Sequence, residues 1–262
     1  MNNTLKIRSF AGIYSLALLT FILFASSFAS AATVYAVVVG VSVNDANRHN
    51  LKYADDDART YYDYLVKANP SAPLSNFTLL VDRQATRESI LSALRQQFSK
   101  AKANDRVILF FSGHGAEGVL VPYDISTSGF LYHSAIKTIF KNSKASLKMC
   151  ILDACFSGSF RKPKTDTPAK TNNSSNTTEV IMFLSSRQNE SSGEFGILAN
   201  GVFTHYLVEG LNGKADLNKD KYITVKELYS FVREEVTEFT KDKQTPVIFG
   251  KFPENKVMVK LQ

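Results

Sequence analysis

Three runs of this chain are apolar on both sides of an extended strand, and they constrain its fold more than any other feature. Val34 to Val41 is largely β-branched, Val107 to Phe111 is Val-Ile-Leu-Phe-Phe, and Met149 to Leu152 is Met-Cys-Ile-Leu. A strand with one wet face alternates apolar and polar residues; a run without alternation belongs in a parallel sheet covered on both faces. Amphipathic helices are spaced between these runs. Leu51 to Lys67 carries Ala54, Ala58, Tyr61, Tyr62 and Leu65 on one face, and Asn69-Pro70 and Pro73 end it. A helix capped near Thr86 turns Ile90, Leu91, Leu94, Phe98 and Ala101 inward. Further strands are predicted at Phe77–Val81, Val119–Pro122 and Val180–Leu184, and helices at Tyr132–Phe140, Gly201–Leu211 and Val225–Phe239. Val247–Phe249 and Val257–Leu261 read as edge strands. The alternation of strand and helix predicts one α/β sandwich of three layers, with a mostly parallel sheet of about six strands, right-handed crossovers and helices on both faces.

Two of these strands end in chemistry. The first delivers Ser112-Gly-His-Gly115, and the other delivers Asp153-Ala-Cys-Phe-Ser-Gly158. Ligands of open α/β sheets bind beyond the carboxyl ends of the strands. A thiol needs a base or cation beside it to become a nucleophilic thiolate at neutral pH, and imidazole is the usual partner. His114 and Cys155 at matching strand ends therefore read as a nucleophile and its acid/base, with Asp153 two residues before the thiol. His49, His133 and His205 have no such setting and read as structural.

These stretches resemble the caspase–metacaspase clan of cysteine peptidases, and most closely its bacterial metacaspase-type members. The likeness extends through Asp57-Ala58, Gly201-Val-Phe-Thr204, Asp216–Leu228 and Gln244-Thr-Pro246. It implies a caspase-like fold and an endopeptidase using a Cys155–His114 dyad and a thioester intermediate. It places the oxyanion between the backbone N–H groups of Gly115 and Cys155. Caspases proper carry glutamine where this chain has Asp153 and read aspartate in their substrates; an acid there implies cleavage after Arg or Lys. By the same resemblance Asp57 and the Ser112 hydroxyl line that pocket. Asp55, Asp56 and Asp57 are consecutive, and the sequence leaves open which of them points inward.

Residues 1–31 read as a secretory signal peptide. Lys6 and Arg8 precede a largely apolar stretch from Phe10 to Phe24, and Ala29-Ser-Ala31 supplies small residues for cleavage. That stretch is short of the ~20 residues a spanning helix needs. Residues 32–262 then form a single peptidase domain, expected to be secreted or periplasmic with no stable membrane span. The net charge is +7, of which the leader supplies two, and no block interleaves basic with aromatic residues. A nucleic-acid partner is therefore not expected. An extended strand separates Cys150 from Cys155 by about 16 Å, beyond the roughly 4.4–6.8 Å between Cα atoms that a disulfide spans. Cys150 reads as an inert core thiol and Cys155 as a free one. Residues 161–179 have little to bury and read as a mobile loop between two halves of the domain. Its Arg161, Lys162, Lys164 and Lys170 are candidates for self-cleavage.

Asp216, Asn218, Asp220 and Glu227 occupy positions one, three, five and twelve of a calcium-loop pattern, with Lys221 where a glycine is usual. Two readings stand there: a Ca²⁺ site, or a capped loop before the helix at Val225. No cofactor is required for the thiol chemistry. Two other functional classes compete with the enzyme: an inactive caspase-like protein binding basic peptides, and a calcium-responsive interaction module.

Overall fold

The computed structural model describes residues 32–47, 50–154, 180–186, 194–195, 200–250, 252–253 and 255–261. The leader at 1–31, His49, Cys155 and the candidate processing loop at 161–179 lie outside the described residues.

In chain order, β1 (Val34–Gly40) is followed by α1 (Ala54–Ala68), β2 (Phe77–Val81), α2 (Arg87–Ser99) and β3 (Arg106–Ser112). Three two-residue strands come next, β4 (Gly115–Ala116), β5 (Val119–Leu120) and β6 (Leu131–Tyr132), with the short helix α3 (Ile125–Ser128) between the last two. Then come α4 (His133–Asn142), β7 (Leu147–Asp153), β8 (Ile181–Leu184), β9 (Glu194–Phe195), β10 (Asn200–Gly201) and α5 (Val202–Glu209). The chain closes with β11 (Tyr222–Thr224), α6 (Val225–Phe239), β12 (Val247–Phe249) and β13 (Val257–Lys260).

Six strands form the central sheet in the order β12-β8-β7-β3-β1-β2. All neighbours are parallel except β12, the antiparallel edge. Strand periodicity then builds the layers, because successive side chains point to opposite faces. Ala36 and Val38, Ile108 and Phe110, and Met149 and Ile151 pack with Tyr61 and Leu65 of α1, Phe203 of α5 and Val232 of α6. Val37 and Val39, Leu109 and Phe111, and Cys150 and Leu152 pack with Leu94 and Phe98 of α2 and Phe140 of α4. The sheet is thus the middle of three layers, as the unbroken apolar runs require.

Local signals fix several boundaries. The Thr86 side chain accepts from Ser89 N and caps α2. Thr224 and Glu227 form a reciprocal capping box at the start of α6. One expectation changes in detail: β13 is an edge strand, but of a separate two-stranded ribbon with β11. The ribbon is tied down where Arg106 Nη1 donates to Met258 O at 2.6 Å.

Order in the sheet reverses at β1, whose sequence neighbours β2 and β3 lie on its two sides. Such a switch point opens a crevice beyond the strand ends. Gly40 shapes one wall of it. A Cβ on Gly40 would lie 2.7 Å from Ala58 Cβ and 2.8 Å from Asp55 Cα, so only glycine lets the start of α1 approach the tip of β1. Gly40→Ala is expected to lower stability by about 1–3 kcal/mol, the usual cost of overpacking. A urea midpoint equal to wild type would contradict this close approach.

Candidate active site

The tips of β1, β3 and β7 end level with one another. Gly40 is in register with Ser112, and Ser112 with Asp153. Ser112 and Asp153 continue the side-chain positions of Phe110 and Ile151, which pack against α1 and α5. Asp57 meets them from α1. It shares the inward face of that helix with Ala54, Ala58 and Tyr61, whereas Asp56 is exposed and Asp55 accepts from the Ser42 hydroxyl at 2.7 Å. Packing of that helix face against the strand tips therefore selects Asp57 from the run of three acids.

The two carboxylates are held by different donors. Ser112 Oγ donates to Asp57 Oδ2 at 2.8 Å, and Gly201 N donates to Asp57 Oδ1 at 2.8 Å. Thr204 Oγ1 donates to Asp153 Oδ2 at 2.9 Å. Asn200 adds a further side-chain hydrogen bond to Asp57. A Cβ on Gly201 would stand 2.8 Å from Asp153 Oδ2 and 2.9 Å from Asp57 Oδ2. Both carboxylates therefore crowd against the Gly201 Cα, where only a residue without Cβ fits. Their oxygens lie within the roughly 4–6 Å over which charges shift one another's ionisation. Asp57 is 2% and Asp153 6% exposed. Burial raises the Asp57 carboxyl well above its ordinary range, the Asp153 charge adds to that, and the bonds from Ser112, Gly201 and Asn200 oppose it.

Of the predicted site residues, the structure brings Asp57, Ser112 and Asp153 together. It adds Gly201 and Thr204 to them, which lie in a stretch that carries the sequence resemblance but had no assigned role. His114 follows Ser112 by two residues. Gly113 N donates to Asp153 O at 3.1 Å, linking the turn after β3 to β7, and the His114 carbonyl accepts from Val121 N at 3.0 Å. Gly115 opens the β4–β5 hairpin opposite Leu120. His114 lines a cavity of about 720 Å³ with Val121, Ile125 and Phe130. Cys155 follows β7 by two positions in the sequence and is outside the described residues.

The remaining thiol and imidazoles have settings of their own. Cys150 is a free, wholly buried thiol whose protonated form is favoured by burial, as an inert core residue requires. His133 is buried at the start of α4, and burial depresses its pKa to about 3. His205 Nε2 lies 3.6 Å from Glu209 on α5.

In the calcium-like loop, Asp216 accepts from the backbone N–H of Asp220 at 3.1 Å and of Lys221 at 3.0 Å. Asn218 Oδ1 also accepts from Asp220 N, at 2.9 Å, and Asp220 Oδ1 from Tyr222 N at 2.8 Å. Glu227 turns to Thr224, accepting from its backbone N–H at 2.9 Å and its hydroxyl at 2.8 Å. Among the described residues no group of three or more His, Cys, Asp or Glu side chains is placed to hold a metal. Lys221 has φ 67°, so the backbone makes the left-handed turn there without the usual glycine.

Residues 33–257 match the family model described as the caspase domain, Peptidase C14. The fold is similar to the crystal structure of protein GSU0716 from Geobacter sulfurreducens, with a TM-score of 0.62 and 16% identity, covering 88% of this chain and 100% of that one. No curated protein sequence matches.

The raised Asp57 pKa carries a definite sign. The folded state binds its proton more tightly than the unfolded chain does. Stability therefore falls as pH rises from the ordinary carboxylate range near ~4 through the raised value, by up to about 1.4 kcal/mol per pH unit. Asp57→Asn is expected to flatten that decline, measured as urea midpoints across the window. Equal declines in variant and wild type would contradict the buried-acid account.

Proposed function

We propose, for a chain that belongs to the caspase-domain family of cysteine peptidases, that it cuts peptide bonds after Arg or Lys through Cys155 and His114. Family membership implies protein substrates and thiol-based peptide hydrolysis. One observation carries the basic preference: the carboxylates of Asp57 and Asp153 are buried side by side against Gly201. Two buried acids in one small space repel each other, and a guanidinium or ammonium between them would remove the repulsion and accept charge-assisted hydrogen bonds. An acidic substrate side chain would add a third negative charge to the same space.

In the proposed reaction the Arg or Lys side chain binds against these acids and fixes the register of the peptide. Cys155 gives its proton to His114, and the thiolate attacks the carbonyl carbon. The amide N–H groups of Gly115 and Cys155 receive the developing oxyanion. His114 then protonates the leaving amine, the C–N bond breaks and a thioester remains. Water, deprotonated by the same imidazole, attacks the thioester and restores the thiol. No metal takes part in these steps. A Ca²⁺ bound in the 216–227 loop would act away from the chemistry, and it would require Glu227 to leave its cap. Processing within 161–179 follows from the same specificity, because that segment carries Arg161, Lys162, Lys164 and Lys170. Export by a leader at 1–31 would set the protein to work outside the cytoplasm.

Fluorogenic peptides ending in Arg, Lys or Asp, assayed on wild type and Cys155→Ala with and without calcium, test this reading. Arg and Lys substrates are expected to exceed Asp by about a hundredfold or more in kcat/KM, as the loss of a buried charge partner implies. All cleavage should vanish in Cys155→Ala, and calcium should not be needed. Wild type should also accumulate fragments cut within 161–179 that Cys155→Ala does not form. Preference for Asp, or equal fragmentation of the variant, would overturn the proposal.

A further inference from the structure

The sheet separates two chemically different spaces at the same strand tips. Asp57, Ser112 and Asp153 lie on the side of the sheet covered by α1 and α5. The cavity of about 720 Å³ beside His114 is lined by none of those three, and the α3 segment in its wall is tied to α2, which covers the other side. Val121, Ile125 and Phe130 supply its apolar lining, with Asn44 and Ser126 beside them. Leu120 and Leu131, which flank it in the hairpin, belong to the layer of α2 and α4.

The cavity is braced from three directions. The Asp45 carboxylate accepts from Ser126 N at 2.8 Å and from the Ser126 hydroxyl, which ties the loop after β1 to α3. Asp45 N donates to Tyr123 O at 2.8 Å, and Tyr123 N to Ala85 O at 2.9 Å. From α2, Arg87 donates through its backbone N–H to Asp124 at 2.7 Å and through Nη1 to Ser128 O at 2.8 Å. Such a space is preformed, and its volume falls within the ~300–1,000 Å³ usual for ligand pockets. Phe130 is 42% exposed at its mouth, an aromatic ring kept available to solvent.

From this placement we infer that the cavity beside His114 is the subsite for the residue immediately after the scissile bond, and that it takes a large apolar or aromatic side chain. The inference rests on the roles proposed above for His114 and the paired acids. An imidazole that protonates the leaving amine must come within about 2.6–3.2 Å of its nitrogen. That nitrogen belongs to the residue after the cut bond, and its Cβ is two bonds further on. The side chain therefore falls into whatever space has His114 as a wall. The residue before the bond is directed to the acids on the opposite side of the sheet, so the two side chains do not compete for one pocket. The ring of Phe130 with Val121 and Ile125 offers an apolar surface in which a glycine leaves a void and an aspartate leaves an unpaired charge.

Internally quenched peptides that share one Arg-ending half, with Phe, Leu, Gly or Asp next after the cut bond, test the assignment. In wild type, kcat/KM for Phe and Leu is expected to exceed that for Gly and Asp by about tenfold or more, within the 10–200-fold range that apolar pockets discriminate. The Phe-to-Gly ratio should fall several-fold in Phe130→Ala. In Phe130→Asp the advantage of Phe and Leu over Gly should be lost. Equal rates for all four peptides in wild type, or an unchanged ratio in both variants, would overturn the subsite while leaving the peptidase reading intact. Failure of wild type to cleave any of the peptides, or an arginyl-coumarin substrate, would overturn both.

Discussion

Two carboxylates buried side by side are costly, and the architecture around them is arranged to keep them so. Asp57 comes from a helix and Asp153 from a strand tip, and a single glycine on a third element packs against both. The backbone N–H of Gly201 fixes one acid, and its missing Cβ is what lets the two carboxylates approach it. Neutral donors from Ser112, Asn200, Gly201 and Thr204 hold the oxygens in place. Those bonds orient the acids, while burial and the neighbouring Asp153 charge favour the protonated form of Asp57. Local cost of this kind is characteristic of functional sites, where the surrounding fold over-determines an unfavourable arrangement.

The parallel sheet converts strand parity into a division of labour. Because β1, β3 and β7 end in register, residues one position apart on a tip face opposite layers. Acids are presented toward α1 and α5, and the loops that follow β1 and β3 build an apolar recess on the side of α2. His114 follows the turn where Gly113 bonds back to Asp153, and it lines that recess. The strand tips thus carry a charged cluster and an apolar recess that share no lining residue. Membership of the caspase-domain family gives the chain a cysteine-peptidase chemistry.

Much of the scaffold was legible in the sequence because it rests on short-range patterns. Runs without alternation marked the central strands, and the threonine before an apolar-periodic stretch marked the start of α2. Phase along α1 was readable too, yet it did not by itself separate Asp57 from Asp55 and Asp56. That choice depends on which turn of the helix reaches the strand tips, a tertiary matter set by the close approach at Gly40. Gly201 and Thr204 carried no chemical signature: their partners lie 144 and 51 residues away. The same holds for β11, three residues whose pairing with β13 no local pattern announces. In the 216–227 loop the sequence offered two readings, and the side chains turn to backbone turns and a helix cap. Lys221 shows why composition was ambiguous there, since a lysine takes the conformation usually reserved for glycine.

The claim that these acids form a cation pocket is tested most directly by following their ionisation. A ¹³C NMR titration of the Asp57 and Asp153 side-chain carboxyls, with and without agmatine as a guanidinium probe, makes the charge balance visible. The account predicts a raised pKa for Asp57 in the free protein that falls toward the ordinary carboxylate range when agmatine is bound, with Gly201→Ala abolishing the response. A pKa for Asp57 that is ordinary in the free protein, or that agmatine leaves unmoved, would contradict it.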